Sequence, residues 1–324
     1  MRAGDAAAPG LEARAALSRR RALLTAFGGF CLCCLPGRPR AEALALEEVG
    51  PGVFVRRGPN AEASPDNADA IANTGFIVGR DGVLVTESGG SLADGQWLRS
   101  EIRKRTDKPI RHVVMSHVHP DHCFGAAAFA EDGPTFIGHH ALGAALEARG
   151  EYYRKRLADV LGADKAGSVV YPTLGVTEGA VIDLGDRTLR FTAHPSAHTP
   201  TDLSMIDSGS GLLFTGDLLS VGRIPSLDGS LNGWLKEIDR LKGFGAARAV
   251  PGHGPVSVDL APALADLARY LGTLRDETRR AIAADVPIEK AVGTVAQSER
   301  AKWDLFDDYN ARNVTVAYKE LEWE

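Results

Sequence analysis

Apolar and polar positions along this chain follow two rhythms. Short, near-continuous runs of Val, Ile, Leu and Phe predict strands at 53–56, 75–79, 82–86, 110–116, 135–138, 181–184, 188–193, 203–207, 211–215 and 247–250. Gly-Arg-Asp-Gly, Gly-Asp-Arg and Ser-Gly-Ser-Gly turns punctuate them. Between some of these runs, amphipathic stretches at about 95–106, 140–162 and 230–242 predict helices. Residues 258–284 and 309–320 carry apolar residues at the same helical spacing. Strands and helices interleave without a Pro/Ser-rich linker and without an internal repeat. Two sheets packed face to face with helices outside satisfy the pattern, and so does one doubly wound sheet.

The N-terminus departs from both rhythms. Ser18-Arg-Arg-Arg-Ala-Leu-Leu24 leads into an apolar run over 22–35, followed by Pro-Gly-Arg-Pro-Arg and the small-x-small site Ala41-Glu42-Ala43. A basic flank, a short apolar core and a small-residue cleavage site are the three parts of an export signal. The paired arginines resemble the twin-arginine (Tat) type, with Ala22 where that pattern usually has Phe. The run has fourteen residues, short of the roughly 20 a spanning helix needs. Residues 1–43 are therefore expected to be an export signal peptide, and residues 44–324 a single soluble periplasmic domain with no membrane association after cleavage.

Composition narrows the class further. An apolar fraction of 44% is too high for a disordered chain. Acidic residues outnumber basic ones, 42 to 37, which argues against a nucleic-acid binder needing a basic face. Cys31, Cys33 and Cys34 lie inside the apolar run, so cleavage after Ala43 leaves Cys123 alone. One cysteine cannot form an internal disulfide, even in an oxidising compartment.

The nine histidines carry the chemistry. Three fall within six residues in Met-Ser-His117-Val-His119-Pro-Asp121-His122, where the strand-like run over 110–116 ends. At a strand end, His117 and His119 project to one side, and Pro120 turns the chain so that Asp121 and His122 approach from another direction. Four nitrogen and oxygen ligands in six residues crowd a single tetrahedral ion, and two adjacent ions are the more economical geometry. Further candidates follow other strands: His198 in Pro-Ser-Ala-His-Thr-Pro-Thr-Asp202, Asp217 in Phe-Thr-Gly-Asp, and His253 in Pro-Gly-His-Gly-Pro. Strands that place ligands on their trailing loops are a common way to build a site.

In order and spacing, His117-x-His119-x-Asp121-His122, His198, Asp217 and His253 resemble the metallo-β-lactamase fold superfamily over residues 50–255. The resemblance implies an α/β (α+β) fold, a four-layer αββα sandwich with two metals at the edge between the sheets. With Asp at position 217, the pattern is nearest the hydrolase branches. The export signal, Arg223-Ile-Pro-Ser-Leu-Asp-Gly-Ser230 and the tail 313–322 are similar to the SoxH-like group, the quinoprotein relay system zinc metallohydrolases. Carried over by motif, His117, His119 and His198 would bind one zinc, Asp121, His122 and His253 a second, and Asp217 would bridge. Imidazole and carboxylate suit Zn²⁺, and also Fe or Mn. Diiron relatives that reduce oxygen usually have Glu at the second motif position, where this chain has His119, which favours hydrolysis.

The implied activity is that of a dinuclear zinc hydrolase whose metal-bound hydroxide opens an ester, thioester, lactone or β-lactam-like amide bond. Asp121 would orient the nucleophile or pass a proton, and Arg223 would clamp a substrate carboxylate. Tyr152, Tyr153 and Trp234 are candidates for cleft walls or for simple packing. A second reading is a non-catalytic or weakly catalytic metal-binding accessory protein, partnered with a periplasmic quinoprotein dehydrogenase.

Overall fold

The computed structural model describes residues 45–324. The expected export signal lies outside the described residues. The unit Leu44–Glu324 contains two mixed sheets, which decides between the two architectures that periodicity leaves open. The first sheet runs β1 (Leu46–Gly50), β2 (Val53–Arg56), β3 (Thr74–Val78), β4 (Val83–Glu87), β5 (Ile110–Val114), β6 (Thr135–His139) and β7 (Leu174–Val176) in sequential order. Its first four strands are antiparallel and its last four parallel. The second sheet has the order β13 (Val258–Asp259), β12 (Arg248–Val250), β11 (Leu213–Phe214), β10 (Leu203–Asp207), β9 (Thr188–Ala193), β8 (Gly179–Asp183).

The period-2 alternation of strand side chains separates the core into layers. Val53, Val55, Ile77, Leu84 and Val114 from the first sheet meet Leu189, Phe191, Met205 and Phe214 from the second. On the outer face of the first sheet, Phe76, Val83, Val85 and Val113 pack with residues of α1 (Leu92–Arg103) and α3 (Leu142–Leu161). On the outer face of the second, Leu213 and Ala249 pack with α5 (Leu231–Lys242), α6 (Leu260–Ala283) and α8 (Phe306–Leu321). Helix, sheet, sheet, helix is the αββα order. Among the described residues, no helix is long and apolar enough to cross a membrane.

Three strands escape the sequence pattern. In β1 the exposed pair Glu47–Glu48 breaks the apolar run, as suits an edge strand. β7 and β13 have only three and two residues, too few for any period to show. Three one-turn helices also escape it: α2 (Pro120–Cys123), which carries Asp121 and His122, α4 (Ala163–Ala166), which follows α3, and α7 (Ile288–Ala291), which lies between α6 and α8. The strand expected over 110–116 ends at Val114, so the histidine cluster begins in loop.

A buried ion pair ties sheet to helix. Arg56 on β2 is fully buried, hydrogen-bonds both carboxylate oxygens of Asp94 on α1, and donates to the Ala72 carbonyl. Removing one partner of such a pair leaves an uncompensated charge. Asp94→Ala is therefore expected to lower unfolding free energy by about 3–5 kcal/mol, measured by urea denaturation. A loss no larger than that of a surface substitution would mean that water reaches Arg56.

Candidate metal centre

Four loops meet at one end of the sandwich, following β5, β9, β11 and β12. Backbone bonds hold them together: Leu203 N–H donates to the Ser116 carbonyl, Gly252 N–H to Gly216, and Asn73 N–H to Gly252. Asn73 Nδ2 adds a bond to the Pro251 carbonyl. Asp202 folds the second loop, which carries His198, by accepting from the Thr199 N–H at 2.9 Å and the Thr199 hydroxyl at 2.7 Å. Gly252 is dictated by close approach, since a Cβ there would lie 1.9 Å from Asp217 Oδ1.

All seven side chains singled out from the sequence converge here. Ligand atoms of His117, His119, His198 and Asp217 lie within 4.8 Å of one another, as do those of Asp121, His122 and His253. His198 Nε2 is 3.3 Å from His117 Nε2 and 3.0 Å from His119 Nδ1. In the second group, Asp121 Oδ2 is 3.5 Å from His122 Nε2 and 3.2 Å from His253 Nε2. Asp217 stands between the groups, with Oδ2 at 3.5 Å from His198 and 3.4 Å from His253, and Oδ1 at 3.2 Å from His122.

The opposite ring nitrogens face acceptors supplied by the protein. His253 Nδ1 lies 3.1 Å from the Ile71 carbonyl, His117 Nδ1 2.9 Å from Ser116 Oγ, and His119 Nε2 3.3 Å from Asp228 Oδ2. Glu87 Oε1 lies 3.4 Å from His122 Nδ1. Partners of this kind fix tautomer and ring orientation in metal-binding histidines. Glu87 and Asp228 are absent from the sequence-derived set, because neither belongs to a His-rich motif.

Charge in the cluster is divided. Burial holds His117 well below the usual imidazole range, helped by His122, His198 and His119, and pushes His198 down to about 3. Burial also opposes charge on His122 and His253, but Asp217 and Asp121 outweigh it and raise both. Burial likewise works against ionisation of Asp121 and Asp217, and the adjacent His122 and His253 overcome it to lower both carboxyls. Several buried polar atoms of the cluster make no hydrogen bond, including both nitrogens of His122, with Glu87 near it only as a charge partner, and Asp217 Oδ1. Imidazole nitrogens converging to 3.0–3.3 Å, beside orphaned buried polar atoms, fit a cation-binding set. The donors fit a metal cofactor.

His119, Asp121, Asp217 and His253 of the cluster line a cavity of about 920 Å³, walled by α3, by the loop before α5, and by α8. Tyr152 and Tyr153 line it, whereas Trp234 is fully buried with its ring 5.1 Å from that of His198. Arg223 also lines it but is only 6% exposed, donating to the Ala61 carbonyl at 3.0 Å and to Tyr309 Oη at 3.2 Å. Cys123 is buried in the apolar core and its thiol is pushed up by burial. His194 is bound by Glu237 at 2.6 Å and Ser204 at 2.7 Å, a packed polar network that includes none of the seven donors.

The family model described as the metallo-beta-lactamase superfamily matches residues 68–253, from just before the site through its last histidine. The chain belongs to the metallo-beta-lactamase superfamily. A linear primary-alkylsulfatase from a Pseudomonas species is 23% identical over 220 residues, covering 56% of this chain and 41% of the sulfatase. The Bos taurus acyl-coenzyme A thioesterase MBLAC2 is 33% identical over 135 residues, 38% of this chain and 44% of the thioesterase. The chain thus spans less than half the length of either curated relative. A metallo-beta-lactamase from Pontibacter korlensis shares the fold at TM-score 0.58 and 16% identity, over 71% of this chain and 99% of that one.

Gly252→Ala places a methyl group against Asp217 and is expected to destabilise the fold by about 1–3 kcal/mol, read by urea denaturation. Wild-type stability would show that the Asp217 carboxylate is free to move aside.

Proposed function

We propose that this member of the metallo-beta-lactamase superfamily is a periplasmic dizinc hydrolase, acting on an ester, thioester, lactone or β-lactam-like bond of a small molecule. The reading rests on one observation: seven nitrogen and oxygen donors in two groups joined at Asp217, four of which (His119, Asp121, Asp217 and His253) line a cavity. His117, His119 and His198 would hold one zinc, Asp121, His122 and His253 the other, with Asp217 between. Two zincs bound here would supply an acidified water and a Lewis acid for the substrate oxygen.

The chain's own residues do the rest. Asp121 is ionised beside His122 and His253, and accepts a hydrogen bond from the attacking water, aligning it and then taking up its proton. Water's hydroxyl group joins the carbonyl or other electrophilic centre, and the proton leaves with the departing oxygen, sulfur or nitrogen. Asp228 holds His119 so that its ring does not swing as charge develops, and Glu87 places a carboxylate 3.4 Å from His122 Nδ1. Arg223 braces the wall through Ala61 and Tyr309, and serving as a carboxylate clamp would require it to release Tyr309. The alkylsulfatase and thioesterase names of the curated relatives support a hydrolytic role. The SoxH-like motifs support an export route and a setting near periplasmic quinoprotein oxidation.

Elemental analysis of the purified protein is expected to find close to two zincs per chain. His119→Ala and Asp121→Ala should each abolish turnover of an ester and thioester panel and lower bound zinc, with turnover restored to the chelator-stripped wild type by added Zn²⁺. Full activity in stripped protein would overturn the zinc assignment.

A further inference from the structure

The helix over the cavity carries a pattern that the seven donors do not explain. Arg149, Tyr152, Tyr153, Arg156, Leu157 and Val160 of α3 all line the cavity. They recur at steps of three and one, which is a single helical face. Arg149 to Val160 spans about 16 Å of helix. The stripe is chemically graded. At its inner end Arg149 pairs with Asp228, the carboxylate that also holds His119. At the outer end stand Leu157 and Val160. Tyr152 and Val160 are 60% and 41% exposed, an unusual position for large apolar side chains on a helix whose opposite face is packed into a core.

The charges at the inner end are unbalanced. Arg312 of α8 also approaches Asp228, 3.7 Å from Oδ1, so two guanidinium groups share one carboxylate. Further along the stripe, Arg156 lies over the Tyr152 ring at 5.9 Å. An anion entering beside Asp228 meets two guanidinium groups that share this one carboxylate, and guanidinium binds oxyanions through paired hydrogen bonds.

We propose that the substrate is an anionic amphiphile whose charged head docks between Arg149 and Arg312, with an acyl or alkyl chain lying along α3 over Tyr152, Leu157 and Val160. This rests on the hydrolase reading for the fate of the ligand, and adds its chemical class. The geometry places the head next to the seven donors, so the bond that is broken is the one joining head to chain or the one adjacent to it.

Calorimetric titration of the zinc-loaded full-length protein with acetate, octanoate, dodecanoate and octanol separates the two parts. Affinity is expected to rise from acetate to dodecanoate by about twofold per methylene, part of the roughly fourfold that complete burial gives. Octanol, lacking the charge, should bind at least about tenfold more weakly than octanoate, which corresponds to about 1.4 kcal/mol. The double variant Tyr152→Asp/Val160→Asp should flatten the chain-length series, and Arg312→Gln should erase the preference of octanoate over octanol. Both change exposed positions, and circular dichroism checks that they fold. Equal affinity for acetate and dodecanoate, equal affinity for octanol and octanoate, or an unchanged series in folded variants would each overturn the proposal. These titrations read binding alone. Failure to turn over any ester would therefore sink the hydrolase reading without imitating a negative result here.

Discussion

Everything at the working end of this protein depends on holding lone pairs against one another in a buried space. Imidazole nitrogens of His117, His119 and His198 face inward at 3.0–3.3 Å, and Asp217 adds a carboxylate that reaches both groups. Such donors repel unless protons or a cation stand between them, and burial makes unpaired polar atoms costly. The arrangement is held from behind. Ser116, Asp228, the Ile71 carbonyl and Glu87 each face the ring nitrogen that points away from the centre. Polarity is thereby built outward in shells from a set that is incomplete on its own.

That holding requires a frame that does not yield. The two sheets press Val53, Ile77 and Leu84 against Phe191, Met205 and Phe214, and a close-packed interior transmits little movement to the strand ends. Short loops then carry the ligands only a few residues from rigid backbone. Gly252 shows how tight the closure is, because the space a side chain would need is taken by the Asp217 carboxylate. Asp202 performs the same service for the His198 loop by tying it to Thr199.

The site and its approach are made by different parts of the fold. Donors come from the strand ends, whereas the cavity wall comes from α3 and α8, whose inward faces are joined at Asp228 by Arg149 and Arg312. One carboxylate therefore links the orientation of His119 to the charge of the entrance. In a superfamily whose members share a fold at low identity, chemistry common to the family resides at the strand ends, and selectivity falls to the helices and loops that cover them.

The sequence by itself determined the donor set and most of the strands, since histidine spacing and apolar alternation are local properties that a linear reading preserves. It could not show β7 or β13, because two or three residues hold no period, nor the edge strand β1 with its exposed glutamates. Only the tertiary structure decided that two sheets stack instead of one winding double, which depends on non-local pairing. Asp228 and Glu87 became functional only when folding brought them to His119 and His122, 109 and 35 positions away. Arg223, a free cation on paper, became a brace once Ala61 and Tyr309 closed on it. The physical reason is common to these cases: ligand type is a property of a residue, while partners, burial and charge balance belong to the space that distant segments enclose.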